Sequence, residues 1–248
     1  MWVLALDTTT RDGSVAVVRD DTIVVARPGE AGISHAERVP SDLRAVLAEA
    51  DVELTDVDLF AVATGPGGFT GLRIGLATVQ GLATALHRPA AGVVSLAALA
   101  WDVLEREPDT PCAAAWMDAS RGEVFAAAYC RPSAPSPPTA AEPVWPLTAM
   151  TPATAASPAD TIVAWQAAVP LVTPIAAACR ADASATARAA GRAVVAPALL
   201  LAGVVGRLAW RMHRAGLSGP AAALAPEYVR RPDVEIERNR QRASGVRV

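Results

Sequence analysis

The sequence predicts an α/β fold of two lobes with mixed sheets, the second lobe restarting the pattern of the first. Three observations predict it: short β-rich runs at hairpin spacing open the chain, helix and strand periodicities then alternate, and the same order begins again near Cys112. With 248 residues the chain can bury a sizeable core as one large domain or two smaller ones. Glu107-Pro108-Asp109 marks the boundary, giving lobes of 1–108 and 109–248.

Trp2–Leu6, Ser14–Val18 and Thr22–Ala26 read as strands of an antiparallel meander, separated by Asp12-Gly13 and Asp20-Asp21. Ser34 and Glu37 form a capping-box pair that opens a helix running to about Ala50, with Ala36, Val39, Leu43, Val46, Leu47 and Ala50 on one face. Pro40 is expected to kink it near its first turn. Leu59–Thr64 has the composition of a buried strand, followed by the glycine-rich turn Gly65–Gly68. A helix then carries Leu72, Leu76, Val79, Ala83 and Leu86 on one stripe. Gly92–Leu96 reads as a strand and Ala97–Arg106 as a helix.

In the second lobe, Cys112–Met117 and Glu123–Cys130 read as strands around the turn Asp118–Gly122. Residues 131–160 are crowded with Pro, Ser, Thr and Ala and read as long loops around a short strand at Val144–Leu147. Thr161–Trp165 reads as strand-like, the apolar stretch 193–206 as a buried core helix, and Pro197–Ala215 as the clearest late helix. The arginine-rich tail is expected to be mobile beyond about Asp233.

Composition excludes several chemistries. A net charge of -3 and a pI near 5.7 leave no global basic field to attract nucleic acid. All 22 basic residues are arginine, so there is no P-loop, Schiff-base or general-base lysine. Cys112, Cys130 and Cys179 have neither metal-ligand nor CxxC spacing and read as buried free thiols in a reducing compartment. No basic leader precedes the first apolar run, and no uncharged apolar stretch reaches the roughly 20 residues a bilayer needs, so a cytoplasmic location is expected. His35, His87 and His213 contain no i, i+4 pair, so no metal site is expected. Neither a GxSxG elbow nor an HExxH motif is present, and no catalytic residue is assigned.

The most distinctive stretch is GPGGFTGLRIG at 65–75, placed between a strand and a helix. It is neither a Walker A loop, since Thr70 and Gly71 stand where Gly and Lys are required, nor a GxGxxG fingerprint. Its backbone N–H groups suit an anion. Tight backbone packing, with Thr70 capping a helix that begins near Leu72, explains the glycines equally well. Asp7 and Asp118 each close a strand, where a carboxylate serves either a metal-bound phosphate or an ordinary turn.

The same stretch resembles the GPGSFTGLRIG signature of the TsaB family. LDTTT at 6–10, SHAERVPSDL at 34–43, MDASRGEVF at 117–125 and EYVRRPDV at 227–234 resemble family segments in the same order, while 131–226 matches weakly. The resemblance implies the duplicated actin-like (ASKHA, RNase H-like) fold of the actin, hexokinase and Hsp70 superfamily. It implies a subunit that is not itself catalytic and that forms a heterodimer with a metal-bearing TsaD-like paralogue, or a homodimer. With a TsaE-like ATPase, that complex places a threonylcarbamoyl group on N6 of a tRNA adenosine, so tRNA is met only through the complex. TsaD carries a His-x-x-x-His metal pair, whereas His35 here is followed four residues later by Val39.

On the same ground the partner interface is expected on the first-lobe helices at His35, Val39, Leu43, Val46, Leu47, Leu72, Ile74, Gly75, Val79 and Leu82. Leu43 with Val46 and Leu47, and Ile74 with Leu82, are the expected outward apolar groups. Asp7, Thr8, Gly67, Gly68, Thr70 and Asp118 are expected to form a vestigial phosphate-binding set. No nucleotide is expected to be held tightly by this chain alone, with ATP or ADP and Mg²⁺ entering at the level of the complex. Where relatives keep a Gly-x-Gly near the adenosine, this chain has Ile162–Ala167 with the Trp165 indole. Two other readings stand beside this one. Asp7, Asp118 and the 65–75 loop motivate an autonomous actin-like kinase or ATPase. Arg230, Arg231, Arg238, Arg240, Arg242 and Arg247 motivate direct RNA contact by the tail.

Overall fold

A computed structural model describes residues 1–30, 32–132 and 147–230. The expected strand at 144–147 therefore falls mostly outside the described residues, as does the tail from Arg231 onward with Arg238, Arg240, Arg242 and Arg247.

The first sheet contains β1 (Trp2–Asp7), β2 (Ser14–Arg19), β3 (Thr22–Pro28), β4 (Leu59–Gly65) and β5 (Ala90–Val94), in the order β3-β2-β1-β4-β5. The hairpin pairs antiparallel, with Leu4 opposite Val17, and β4 and β5 then add in parallel. The second sheet contains β6 (Cys112–Asp118), β7 (Val124–Cys130), β8 (Thr148–Ala149), β10 (Ile175–Ala178) and β11 (Val194–Val195), in the order β11-β10-β6-β7-β8; β9 (Thr154–Ala156) also pairs with β7. Here too a central strand, β6, has an antiparallel neighbour on one side and parallel strands on the other. The two sheets thus share one topology, which is the duplication expected from the restart at Cys112.

Both faces of the central strands are buried, so their side chains divide by the two-residue pleat. Leu4, Leu6, Val15, Val17, Phe60 and Val62 face outward onto α1 (His35–Glu49) and α2 (Phe69–Ala85). Val3, Ala5, Val18, Leu59 and Ala61 face inward onto α3 (Ser95–Arg106) and α6 (Leu201–Arg214). Ala113, Ala115, Met117, Ala127 and Tyr129 of the second sheet join the same inner core. On the outer face of the second sheet, Trp116 meets Trp165 of α4 (Pro158–Trp165) at 5.9 Å between ring centroids, beside α5 (Ala181–Ala189). α6 belongs to the second half of the sequence yet packs on the first sheet. A Cβ at Gly206 would lie 2.7 Å from Val18 Cγ2, so this glycine permits the close approach.

Several expectations are corrected. Thr161–Trp165 is helical: Ser157 accepts from the Asp160 N–H at 3.1 Å, Pro158 occupies the first turn, and Thr161 and Trp165 share the buried face. The apolar stretch 193–206 is not one helix, because it forms β11, turns, and becomes helical only at Leu201. The Asp102 carboxylate accepts the Ala198 N–H at 2.9 Å in that turn. Cys112 and Cys130 are not free thiols but a disulfide joining directly opposed positions of β6 and β7, and Cys179 alone is free. α1 runs unbroken across Pro40, with Glu37 accepting from the Ser34 N–H and hydroxyl. No helix among the described residues is long and apolar enough to cross a membrane.

Candidate functional site: the interlobe cleft and the signature loop

A cleft of about 950 Å³ opens between the sheets, walled by Thr8–Arg11 after β1, His35, the start of α2, and Asp118, Cys179 and Arg180 of the second sheet. Its base is the turn after β1. The Asp7 carboxylate is buried and accepts from the Thr9 N–H at 2.8 Å, the Thr9 hydroxyl at 2.5 Å and the Thr10 hydroxyl at 3.3 Å. Burial pushes its pKa up, opposed by those hydrogen bonds. Asp7 therefore shapes the turn beneath the cleft, while Asp118 is exposed at the cleft wall and accepts the Ser120 N–H at 2.6 Å. The two aspartates do different work.

The signature loop answers the choice between anion cradle and packing. α2 begins at Phe69 with Gly68 as N-cap, so Thr70 lies inside the first turn and does not cap a helix starting at Leu72. The Gly68 N–H is donated to Thr9 O at 2.9 Å. A Cβ at Gly67 would stand 2.4 Å from Thr9 Cβ, one at Gly71 2.2 Å from Thr8 O, and one at Gly75 2.2 Å from Thr8 Oγ1. Glycines 67, 71 and 75 thus let the loop and α2 press against Thr8 and Thr9. The LDTTT and GPGGFTGLRIG motifs are two sides of one contact. The Asp7 oxygens and the Gly68 N–H are thus engaged within the turn and the loop, while Thr70 and the Asp118 carboxylate stand exposed at the cleft.

Arg38 was not among the residues singled out from the sequence, although it lies within SHAERVPSDL and directly precedes buried Val39. Its side chain is buried, donates to Asp42 at 2.6 Å and to Asp12 O, and lies 2.8 Å from His35 Nδ1. His35 Nε2 lies 3.1 Å from Thr10 O. A carbonyl only accepts, so Nε2 carries the proton and Nδ1 accepts from the guanidinium. Burial first, and then Arg38, hold the His35 pKa below its usual value.

Among the expected interface residues, Val39, Leu43, Val46, Leu47, Leu72, Gly75 and Val79 are buried in the first lobe beneath α1 and α2. Leu43, Val46 and Leu47 are therefore not outward-facing, because their stripe is the one that packs on the sheet. His35, Ile74 and Leu82 are half-buried, and Thr70, Arg73, Ala77 and Gly81 make up the exposed side of α2. The Trp165 indole packs on Trp116 in the outer core of the second sheet and does not line the cleft.

Two mixed sheets of matching topology, enclosing a shared pair of helices beneath a cleft, form an actin-like fold. The TsaD family, tRNA N6-adenosine threonylcarbamoyltransferase, matches residues 24–134. The tRNA threonylcarbamoyladenosine biosynthesis protein TsaB of Escherichia coli is 37% identical over 131 residues, covering 53% of this chain and 56% of that protein. TsaB of Bacillus subtilis is 32% identical over 129 residues, covering 52% and 55%. The chain thus spans about half the length of the curated relatives it matches. The structure of YeaZ from Pseudomonas aeruginosa superposes with a TM-score of 0.68 at 29% identity, over 92% of this chain and 99% of that one. Component A of (R)-2-hydroxyglutaryl-CoA dehydratase from Acidaminococcus fermentans, at TM-score 0.50 and 9% identity over 87% and 99%, shares the fold. The chain is thus similar to TsaB and YeaZ proteins, to YeaZ over most of its length.

Proposed function

We propose that this chain acts in tRNA threonylcarbamoyladenosine formation as a non-catalytic subunit that pairs with a TsaD-type transferase. The observation that carries the reading is the likeness to YeaZ, which extends over 92% of the chain rather than one motif. The cleft supports the non-catalytic part, because its Asp7 oxygens and signature glycines are occupied by packing. Likeness to the TsaD family over 24–134 supports the pairing, since paralogous first lobes present equivalent helices to each other. On this chain the surface is the outer side of α2, where Ile74, Ala77, Gly81 and Leu82 allow close helix approach. A TsaE-like ATPase and tRNA would join through the assembled pair, in the cytoplasm, and a homodimer through the same face would form when the paralogue is absent.

The test is co-expression with the TsaD-type protein of the same organism, followed by size-exclusion chromatography with light scattering. A heterodimer that is lost in Ile74→Glu and Gly81→Glu, with each variant still folded, supports the reading. Separate elution at tens of micromolar, with the ATPase subunit and nucleotide added, refutes the pairing. A second reading, nucleotide turnover by this chain alone, rests on the size of the cleft and on the exposed Asp118 in its wall. Calorimetry with Mg-ATP and a phosphate-release assay on the single chain decide between the two.

A further inference from the structure

The geometry points to the segment 224–230 as a latch across the mouth of the interlobe cleft, fixing the signature loop of the first sheet against the β6–β7 turn of the second. The segment first runs along the first lobe. Leu224 O accepts from Gln80 Nε2 at 3.1 Å, and the Glu227 N–H donates to Thr64 O at the end of β4 at 2.7 Å. Gly65, at φ +111°, is where the loop leaves β4, and a Cβ there would meet Glu227 O at 2.8 Å, so the strap presses on the loop itself. Tyr228 then stacks on Phe69 with centroids 5.3 Å apart, and its hydroxyl accepts from Arg73 Nε at 3.1 Å. Arg73 lies 3.8 Å over the Phe69 ring, closing a three-membered stack on the first turns of α2.

Two residues later the chain has crossed to the other sheet. Arg230 donates to the Glu123 carboxylate at 2.6 Å and to Ala119 O at 2.9 Å. The turn it grips is unusual, since Ser120 and Arg121 are both left-handed at φ 62° and 55°, followed by Gly122 at 79°. Non-glycine residues hold that conformation at a cost and keep it only where their surroundings enforce it. Among the described residues, α3 and α6 also join the sheets, beneath the cleft. A contact at the mouth therefore has leverage over the cleft width that the helices beneath it lack. A second cavity of about 390 Å³, walled by the loop, the turn and the strap, marks the junction. Release of Arg230 would free the turn and widen the cleft, with α2 still holding Leu224 and Tyr228.

The test uses the full chain and the thiol of Cys179, the one free cysteine, which lines the cleft. Its rate of labelling by an aromatic disulfide reagent is measured under non-reducing conditions, with hydrogen exchange followed in the peptides over 65–71 and 118–123. In Arg230→Glu the labelling rate should rise roughly three- to tenfold, the shift in an opening equilibrium on losing a charge-assisted hydrogen bond that is partly exposed. Exchange should quicken in both peptides and stay unchanged in β1 and β4. The reversed pair, R230E with E123R, should return both readouts towards the native values. Should R230E fail to fold, Arg230→Gln keeps the stem and removes the charge, and serves the same comparison. Labelling and exchange unchanged within twofold in a folded variant, or no rescue by the reversed pair, overturns the latch.

Discussion

Gly75 and Gly81 lie in the same helix with opposite surroundings, and alanine at each should move stability in opposite directions. At Gly81 a Cβ meets nothing within 4 Å and the position is exposed. Gly81→Ala should gain about 0.5–1 kcal/mol from helix propensity and a less flexible unfolded chain. At Gly75 the new Cβ would stand 2.2 Å from Thr8 Oγ1, with Thr8 Cβ at 3.4 Å behind it. The same propensity gain applies, but forcing a methyl into a packed contact costs roughly 1–3 kcal/mol. The expected difference between the variants is about 1–3 kcal/mol, read as a shift in the urea midpoint at constant m. Thr8 Oγ1 is buried without a hydrogen-bond partner, so Thr8→Ala loses no bond and makes room. Combined with G75A it should recover most of the loss, a coupling that two independent sites would not show. If G75A and G81A stabilise equally, or the double variant is additive, the signature glycines are not packing residues and the anion reading returns.

Glu105 accepts from Arg207 at 2.9 Å and Arg211 at 3.1 Å, while Asp21 holds the same two arginines, so Glu105→Gln should cost about 1–3 kcal/mol by denaturation, less in high salt. A loss below about 0.5 kcal/mol would show that the cluster is only surface charge. His35 is held neutral in the fold, so its folded pKa lies below the unfolded value of 6.5. Above pH 6.5 both states are neutral and this group contributes no slope. As pH falls below 6.5 the unfolded chain takes up the proton first, and stability drops until the folded pKa is reached. Melting temperature between pH 5 and 8 should therefore fall on the acid side in the native chain and be flatter in His35→Gln, and identical profiles would exclude His35 as the cause. The Cys112–Cys130 disulfide spans a separation of 18 residues, and the double serine variant should lose about 3 kcal/mol at the midpoint, whereas equal stability with and without reductant would remove it from the stabilising set.

The strands β1 to β7 and the helices α1, α2 and α3 were legible because both periodicities are written in Val, Leu and Ala at strict spacing, and the Ser34–Glu37 pair states where α1 begins. By contrast, β8 to β11 and α5 are short, alanine-rich or both and carry no such pattern. The errors have local causes. Thr161–Trp165 has a β-rich composition, but the Ser157-Pro158 start is a helix signal of only two residues, easily outweighed by a run of Ile, Val and Trp. Periodicity also tells which face of a helix is apolar and not what that face meets, so Leu43, Val46 and Leu47 read as a partner surface when they are lobe core. Arg38, Arg230 and Tyr228 act through residues 26 to 155 positions away, and no window of sequence contains both ends of those contacts. The cleft was half legible. Its two motifs stood out by composition, but that they touch each other needed the fold.

The crossing of α6 decides whether either half of the chain stands alone. The inner face of the first sheet presents Val3, Val18, Leu59 and Val93, each at most 3% exposed, to α3 and α6. α6 supplies Leu201, Val204, Val205 and Leu208 to that contact, from beyond the boundary at 108. Baring those four sheet residues forfeits about 1.5–3 kcal/mol each, or roughly 6–12 kcal/mol together. That matches the whole stability of an ordinary domain, about 5–15 kcal/mol. The fragment 1–108 should therefore lack a cooperative thermal transition and near-ultraviolet dichroism, although its strands and helices are complete. Mixing it with 109–248 should restore both signals by returning α6 to the sheet. A fragment 1–108 that melts cooperatively alone would mean α1, α2 and α3 suffice to hold the sheet, and that α6 serves the second lobe rather than the first.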